Sequence, residues 1–195
     1  FLKHHPDLKA FYLFIPDMNG VFRGKRVNLE KLLNISHEGL WLPASVFGMD
    51  VIGETIEETG LGISSGDSDR LCRIIPGSLR IVPWQSGLGQ AMLSMEEKDK
   101  VPFFGNPREI LKLFLKKTKK QGFHFKAAFE LEFFLLESDR NDGEKPNLPS
   151  LLKEQTSEGQ LYSISSLDLC GKWLEEISEH CNAMDIPADT SVAEL

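Results

Sequence analysis

Two glutamates two residues apart, Glu130 and Glu132, lie inside one of the most apolar stretches of the chain, residues 125–136. On a β-strand, side chains alternate between the two faces, so both carboxylates would leave the same face about 7 Å apart. On an α-helix they would lie roughly 200° apart around the axis and could not act together. Because the alternate positions are wholly apolar, the pattern predicts a strand over Phe123–Leu136 with one face in a core.

Like charges this close on a largely buried strand are costly unless a cation lies between them. A divalent metal ion would meet that need, because hard cations bind carboxylate oxygens. Two other interpretations exist. The glutamates could be solvated on a half-exposed sheet, or they could be paired acid and base carboxylates, as in glycoside cleavage. Periodicity alone leaves all three open.

Composition excludes several classes of function. A chain of 195 residues is long enough for one large domain or two small ones. Its net charge of −7 argues against a nucleic-acid-binding surface, which needs a basic footprint. No apolar run reaches the ~18 residues of a membrane span, and no signal peptide is visible. Three cysteines without a CxxC motif argue against a disulfide framework or a zinc site, so we expect a cytoplasmic setting.

The first hundred residues have the pattern of a small, strand-dominated unit. Lys9–Phe14 and Val21–Val27 read as two strands of a hairpin, joined by a turn at Asp17–Gly20. Asn28 is placed to cap a short helix. Residues 48–70, rich in Gly, Ser, Thr and acidic residues, read as a long functional loop. Two further strands are predicted at Ser78–Val82 and Ala91–Met95.

A second unit is predicted to start with a helix at Asn106-Pro107, an N-cap followed by proline at the first helical position. Gly122 would stop that helix before the glutamate-bearing strand. Ser165 with Asp168 reads as a capping box for a later helix, and Ala188–Leu195 as the start of another strand. The fold class is therefore α+β, with a division between residues 1–102 and 103–195.

The segment Phe129–Leu135 resembles the metal-ligand strand of the glutamine synthetase family, whose pattern is Glu-x-Glu-Phe followed by apolar residues. Four more motifs resemble that family in matching order: Asp17–Lys25, Gly66–Asp69, Pro76–Trp84 and Asn106–Leu111. Together the five cover nearly the whole chain. The Asn-Gly-Val-x-Arg-Gly-Lys hairpin is most similar to the branch that includes γ-glutamylpolyamine synthetases.

This resemblance implies a β-grasp-like N-terminal domain over residues 1–102. Residues 103–195 would be the first part of an ATP- and metal-binding catalytic domain, an antiparallel sheet with helices. It also implies a ligase that uses ATP to phosphorylate the γ-carboxylate of glutamate, after which ammonia or a primary amine displaces phosphate. The family assembles as rings of identical subunits, so a homo-oligomer is expected. In such rings the N-terminal domain of one subunit completes the active site of the next.

The resemblance also assigns roles to individual residues. Glu130 and Glu132 correspond to carboxylates that bind two different divalent ions, Mg²⁺ or Mn²⁺, and Glu194 corresponds to a third metal ligand. Asp50 corresponds to a loop aspartate that binds and deprotonates the ammonium or amine. Asp69 corresponds to a second loop aspartate, and Asp67 or Asp69 could compete with Asp50 for that role.

The sequence leaves two other functions open. The chain could belong to a non-catalytic relative that uses the same fold for assembly or regulation. It could also be a carboxylate-pair hydrolase, which would need neither ATP nor metal. Since the sequence begins at Phe1 rather than Met, we expect a truncated part of a longer protein, inactive as a ligase on its own.

Overall fold

A computed structural model describes residues 1–138, 147, 149 and 161–194. It divides into two compact units, residues 1–126 and 127–195. The sequence predicts a domain boundary between residues 102 and 103, and that boundary stays a prediction.

The first unit contains a mixed β-sheet and two α-helices. Its elements are β1 (Ala10–Pro16), β2 (Phe22–Asn28), α1 (Leu29–Glu38), β3 (Leu40–Pro43), β4 (Asp69–Ile74), β5 (Arg80–Ile81), β6 (Leu88–Glu96) and α2 (Pro107–Lys120). One short 3₁₀ helix, Leu2–His4, precedes β1, and three more lie between β3 and β4, at Ala44–Phe47, Glu57–Thr59 and Ile63–Ser65. These elements confirm the predicted α+β class.

The strands follow the order β2-β1-β6-β4-β3, and β5 pairs with β6. The β1–β6 pair is parallel, whereas the β1–β2, β3–β4, β4–β6 and β5–β6 pairs are antiparallel. The β1–β2 register runs from Ala10 opposite Asn28 to Pro16 opposite Phe22, which confirms the predicted hairpin. Gly20 closes the turn with φ +77°, a conformation that glycine adopts at little cost.

Helix α1 covers one face of this sheet. The side chain of Asn28 accepts a hydrogen bond of 2.8 Å from the backbone N–H of Lys31, so the predicted N-cap is confirmed. Leu32 and Ile35 point into the core, where they join Phe11 and Leu13 of β1. Full burial of an aliphatic side chain of this size stabilises the fold by about 1.5–3 kcal/mol.

Helix α2 begins where the sequence predicts. The side chain of Asn106 accepts a hydrogen bond of 3.2 Å from the N–H of Arg108. The same buried side chain also reaches the hydroxyl of Ser94 on β6 at 3.4 Å. That hydroxyl donates to the carboxylate of Glu109 at 3.2 Å. These buried polar bonds join the first turn of α2 to the sheet.

Gly24 marks a close approach of β2 to β1. A Cβ atom at this position would lie 1.9 Å from the carbonyl oxygen of Leu13 and 2.7 Å from Cα of Phe14. We therefore expect Gly24→Ala to destabilise the first unit by about 2 kcal/mol or more. Thermal unfolding of the full-length protein measures this. Gly171→Ala is the control, because a Cβ at Gly171 meets nothing within 4 Å; equal unfolding temperatures for the two variants would contradict the expectation.

The second unit contains two helices in its described part, α3 (Ile164–Leu169) and α4 (Gly171–Ala183). The predicted capping box at Ser165 is wrong. The helix begins earlier, and Ser163 is its N-cap, accepting a hydrogen bond of 3.3 Å from the N–H of Ser166. Ser165 lies inside the first turn, where its hydroxyl is 3.1 Å from that of Ser163.

Two further predictions concern the regions before and after these helices. Residues 140–149, whose polar composition with Asn, Gly and Pro predicts a loop, lie outside the described residues except for positions 147 and 149. Residues 188–194 contain no strand, so the strand predicted from Ala188 is not found in the described part of that segment.

Candidate functional site

Asp50 lies in a tight turn that follows β3 and the 3₁₀ helix Ala44–Phe47. Its Oδ1 accepts two backbone hydrogen bonds, from Ile52 at 3.0 Å and from Glu54 at 2.9 Å. The backbone N–H of Asp50 donates to the carbonyl of Glu54 at 2.9 Å, and Gly53 N–H donates to the carbonyl of Asp50 at 3.1 Å. This turn, residues 49–54, which we call the Asp50 turn, thus fixes one carboxylate oxygen. Among the described residues, none donates a hydrogen bond to the other oxygen, Oδ2.

Asp69 occupies a different environment. It is exposed at the first position of β4, opposite Pro43 of β3. Its neighbour Asp67 has φ +32° and accepts a hydrogen bond of 3.3 Å from the N–H of Ser45. Asp67 therefore ties the loop before β4 to the 3₁₀ helix that leads to Asp50, whereas Asp69 faces solvent.

The tip of the β1–β2 hairpin contains an ion pair between a buried aspartate and a half-buried arginine, which sequence reasoning did not identify. Asp17 is 4% exposed, and its Oδ2 lies 3.0 Å from Nε of Arg23. Its Oδ1 accepts hydrogen bonds from the backbone N–H groups of Asn19 at 2.8 Å and Val21 at 2.9 Å. An aspartate with an arginine on the returning strand was the available signal, but spacing alone does not show which loop the arginine contacts.

This hairpin tip contacts the Asp50 turn directly. Nη2 of Arg23 lies 3.4 Å from the carbonyl oxygen of Asp50, and the amide of Asn19 donates to the carbonyl of Met49 at 3.0 Å. A Cβ atom on Gly53 would lie 3.3 Å from Nη1 of Arg23, so the guanidinium rests against the glycine. We call Asp17, Asn19 and Arg23 the hairpin clamp.

Opposing effects act on the pKa of the Asp17 carboxyl. Burial raises it, but hydrogen bonds from the N–H of Val21, the side chain of Arg23 and the N–H of Asn19 outweigh burial. The result is a pKa below the ordinary value of 3.8. A carboxylate with a lowered pKa in the folded state stabilises the fold above its unfolded pKa, and this contribution disappears as pH falls through the folded value.

We therefore expect Asp17→Asn to lower the free energy of unfolding most at neutral pH. The difference from the wild type should shrink below about pH 4, where the Asp17 carboxylate of the unfolded chain becomes protonated, and should vanish as pH falls through the lower folded pKa. Urea unfolding of the full-length protein between pH 3 and 7 measures this difference. Asp7→Asn, at an exposed position, serves as the control. A wild-type advantage over Asp17→Asn that stays constant across this range would show that the charge of Asp17 does not contribute.

The strand predicted for Phe123–Leu136 is wrong in the described structure, where residues 123–137 contain no strand. A strand needs neighbours for its backbone N–H and C=O groups, and among the described residues no strand pairs with this segment. Glu130 and Glu132 are exposed, and so are the intervening apolar side chains; Phe129 is 99% exposed. A backbone hydrogen bond from Glu137 N–H to the carbonyl of Asn147, at 2.9 Å, links this segment to the chain beyond it.

Glu194 is also exposed, one residue after Ala193, whose carbonyl accepts a hydrogen bond of 2.8 Å from the N–H of Tyr162. Within residues 1–138, 147, 149 and 161–194, no group of three or more His, Cys, Asp or Glu side chains is placed to hold a metal ion. Carboxylate oxygens are the donors that Mg²⁺ and Mn²⁺ prefer. The donor type therefore fits these ions, but the structure does not bring Glu130, Glu132 and Glu194 together as a site.

Cys72 is not available as a thiol nucleophile. Cys72, Cys170 and Cys181 are free thiols. Burial raises the pKa of Cys72 to about 12, so its thiol stays protonated at neutral pH. No helix in the described ranges combines the length and apolar character needed to cross a bilayer.

Comparison with known proteins gives one consistent result. Residues 104–195 match the family described as glutamine synthetase, catalytic domain. The chain is 34% identical over 200 residues to γ-glutamylputrescine synthetase PuuA of Escherichia coli (strain K12), covering 100% of this chain and 42% of that protein. It is 30% identical over 140 residues to glutamate–isopropylamine ligase of Pseudomonas sp, covering 70% of this chain and 30% of that protein.

A solved structure described as "GmaS/ADP complex-Conformation 1" shares the fold. It superposes with a TM-score of 0.70 at 23% identity, over 93% of this chain and 37% of that chain. The chain spans 42% of the length of the γ-glutamylputrescine synthetase and 30% of the length of the glutamate–isopropylamine ligase. The five ordered motifs, the α+β architecture and the match along the whole chain agree: the chain belongs to the glutamine synthetase family.

Proposed function

We propose that the full-length protein is an ATP-dependent ligase that joins ammonia or a primary amine to the γ-carboxylate of glutamate. The observation that carries this proposal is the Asp50 turn, which fixes one carboxylate oxygen through two backbone N–H groups and leaves the other available to a cation. The names of the two relatives, a γ-glutamylputrescine synthetase and a glutamate–isopropylamine ligase, support amines as acceptors.

A carboxylate must be activated before an amine can displace one of its oxygens. In the proposed reaction, a γ-carboxylate oxygen of glutamate takes the terminal phosphoryl group of ATP, giving γ-glutamyl phosphate and ADP. The amine nitrogen then attacks the carbonyl carbon. The bond from that carbon to the phosphate oxygen breaks, and inorganic phosphate leaves. The proton lost by the amine goes to a base.

Asp50 is proposed as that base. Most amines arrive as cations at neutral pH, so a carboxylate attracts them and then accepts the proton that must be removed before attack. Asp69 is proposed as a second catalytic carboxylate of the same domain. Its exposure at the start of β4 makes it the weaker candidate for the amine.

Glu130, Glu132 and Glu194 are proposed as carboxylate ligands of Mg²⁺ or Mn²⁺. When bound, these ions would neutralise charge on the phosphoryl group during transfer. Glu130 and Glu132 would serve two different ions, as the family resemblance implies. The proposal requires further ligands and neighbouring strands from outside the described residues. The near-complete exposure of Phe129 and the 86% exposure of Leu131 support this, because a segment this apolar needs a cover.

The setting follows from the same family resemblance. We propose a cytoplasmic homo-oligomer built as a ring, with residues 1–102 as a β-grasp-like N-terminal domain and residues 103–195 as the first part of the catalytic domain. In such a ring, Asp50 and Asp69 would act on the metal-binding strand of a neighbouring subunit. This 195-residue chain alone would then have no ligase activity.

A phosphate-release assay on the full-length protein tests the proposed function. The reaction contains ATP, glutamate, Mg²⁺ or Mn²⁺ and one amine from a panel of ammonia, putrescine, isopropylamine and ethanolamine. Release should require all four components. Release without glutamate or amine would contradict ligase activity. Hydrolysis of a glycosidic bond by the protein, in a separate assay without ATP and metal, would favour the carboxylate-pair hydrolase.

The second candidate is a non-catalytic member of the family that serves in assembly or regulation. The observation that favours it is the lack of a three-ligand metal group among the described residues. Ring assembly of the full-length protein without phosphate release for any amine would support this second candidate and contradict the ligase.

A further inference from the structure

The Asp50 turn is held from two directions. Within the turn, Oδ1 of Asp50 binds the N–H groups of Ile52 and Glu54, which fixes the carboxylate relative to its own loop. These internal bonds do not fix the loop relative to the sheet. Contacts from the hairpin clamp do so: the amide of Asn19 reaches the carbonyl of Met49, and the guanidinium of Arg23 reaches the carbonyl of Asp50.

Arg23 is itself held in one orientation. Its Nε lies 3.0 Å from Oδ2 of Asp17, whose side chain is almost fully buried. The other oxygen of Asp17 binds the N–H groups of Asn19 and Val21, so this carboxylate cannot turn away without breaking three hydrogen bonds. A guanidinium bound through Nε still offers its two terminal nitrogens on the far side, which a lysine could not do.

Gly53 allows the two loops to approach. Its φ is +92°, and a Cβ there would be 3.3 Å from Nη1 and 3.9 Å from Nη2 of Arg23. Both terminal nitrogens of the guanidinium therefore lie close to Gly53, at a position of the Asp50 turn that carries no side chain. Two hydrogen bonds to backbone carbonyls thus couple the β1–β2 hairpin to the Asp50 turn, and the ion pair within the hairpin orients the arginine that makes one of them.

We propose that Asp17 and Arg23, with Asn19, are positioning residues that set where the carboxylate of Asp50 lies for the incoming amine. This inference rests on the proposed function for the role of Asp50. The hydrogen bonds from the clamp to the turn go to backbone carbonyls, so loss of the clamp would move the carboxylate without removing it. A misplacement of about 1 Å can cost about 10²-fold in rate.

The test compares Arg23→Gln with Arg26→Gln in the full-length protein. Arg26 lies on the same strand at an exposed position. For Arg23→Gln, kcat/KM for the amine should fall about 10- to 100-fold, with KM for ATP and glutamate changed less than twofold. Arg23→Lys should stay impaired. In an Asp50→Asn background, Arg23→Gln should add less than a twofold loss, because both changes act through one carboxylate.

Hydrogen exchange of the backbone amides of residues 48–56 gives a readout that does not depend on activity. Exchange should be faster in Arg23→Gln than in Arg26→Gln or the wild type. Asn19→Ala, at an exposed position, is the second variant if Arg23→Gln does not fold, and it should change exchange and the amine kcat/KM in the same direction.

Unchanged exchange in both Arg23→Gln and Asn19→Ala would overturn the clamp. Equal losses for the amine, ATP and glutamate would also overturn it, since they would indicate general destabilisation. If the wild type released no phosphate with any amine, the proposed function would fail, whereas the exchange data would still decide whether the hairpin holds the turn.

Discussion

Replacing Glu132 with glutamine in the full-length protein should reduce the rate of phosphate release by at least about 10²-fold. Glutamine keeps the size of the side chain but removes the charged oxygen that a divalent ion prefers. Loss of metal-based charge stabilisation is worth several kcal/mol in such reactions. Initial rates across a titration of Mg²⁺ and Mn²⁺ measure the effect. Part of the loss should be recovered at high metal concentration.

Glu175→Gln is the matched control, since Glu175 is exposed on helix α4 of the same unit. It should keep rates within twofold of the wild type. A loss of rate in Glu132→Gln could come from weaker metal binding or from an effect unrelated to the metal. Calorimetry separates these two causes by measuring the metal affinity. Normal affinity in Glu132→Gln would remove this residue from the metal ligands.

Replacing Asp50 with asparagine should reduce kcat/KM for the amine by about 10²- to 10⁴-fold, the usual contribution of a general base. Asparagine can still accept the hydrogen bonds from Ile52 and Glu54, so the turn is expected to persist. Formation of γ-glutamyl phosphate should continue, because that step needs no base for the amine. Rapid-quench measurement of ADP formed per active site, with glutamate but no amine, tests this separation.

Asp69→Asn is the comparison for Asp50→Asn. A smaller loss of amine-dependent rate is expected, since Asp69 is exposed and lies at the start of a strand rather than in a structured turn. A larger loss for Asp69→Asn would reassign the amine to Asp69.

Local signals in the sequence predicted the elements that depend on neighbours in the chain. The Asn-Gly turn predicted the hairpin, and Asn28 and Asn106 predicted two helix starts, because a cap acts on backbone groups two or three residues away. The Ser165 cap was wrong since Ser163 offers the same chemistry two residues earlier. Turn and cap chemistry therefore gives helix starts to within a few residues.

Elements that depend on distant partners were harder to predict. The apolar run around Glu130 has the period of a strand, but in the described residues it has no neighbouring strand. The contact between Arg23 and the Asp50 turn joins residues 27 positions apart, which no local pattern specifies. The position of Asp50 as a candidate came from family resemblance, whereas the clamp that holds it came only from the structure.

Oxygen transfer from glutamate to phosphate is the most direct test of the proposed reaction. The full-length protein would be given ATP, an amine and glutamate labelled with ¹⁸O in its γ-carboxylate, and the phosphate and amide analysed by mass spectrometry. An acyl phosphate route predicts one ¹⁸O in each phosphate and a γ-glutamyl amide in equal amount. Unlabelled phosphate, or phosphate without amide, would contradict ligation through γ-glutamyl phosphate.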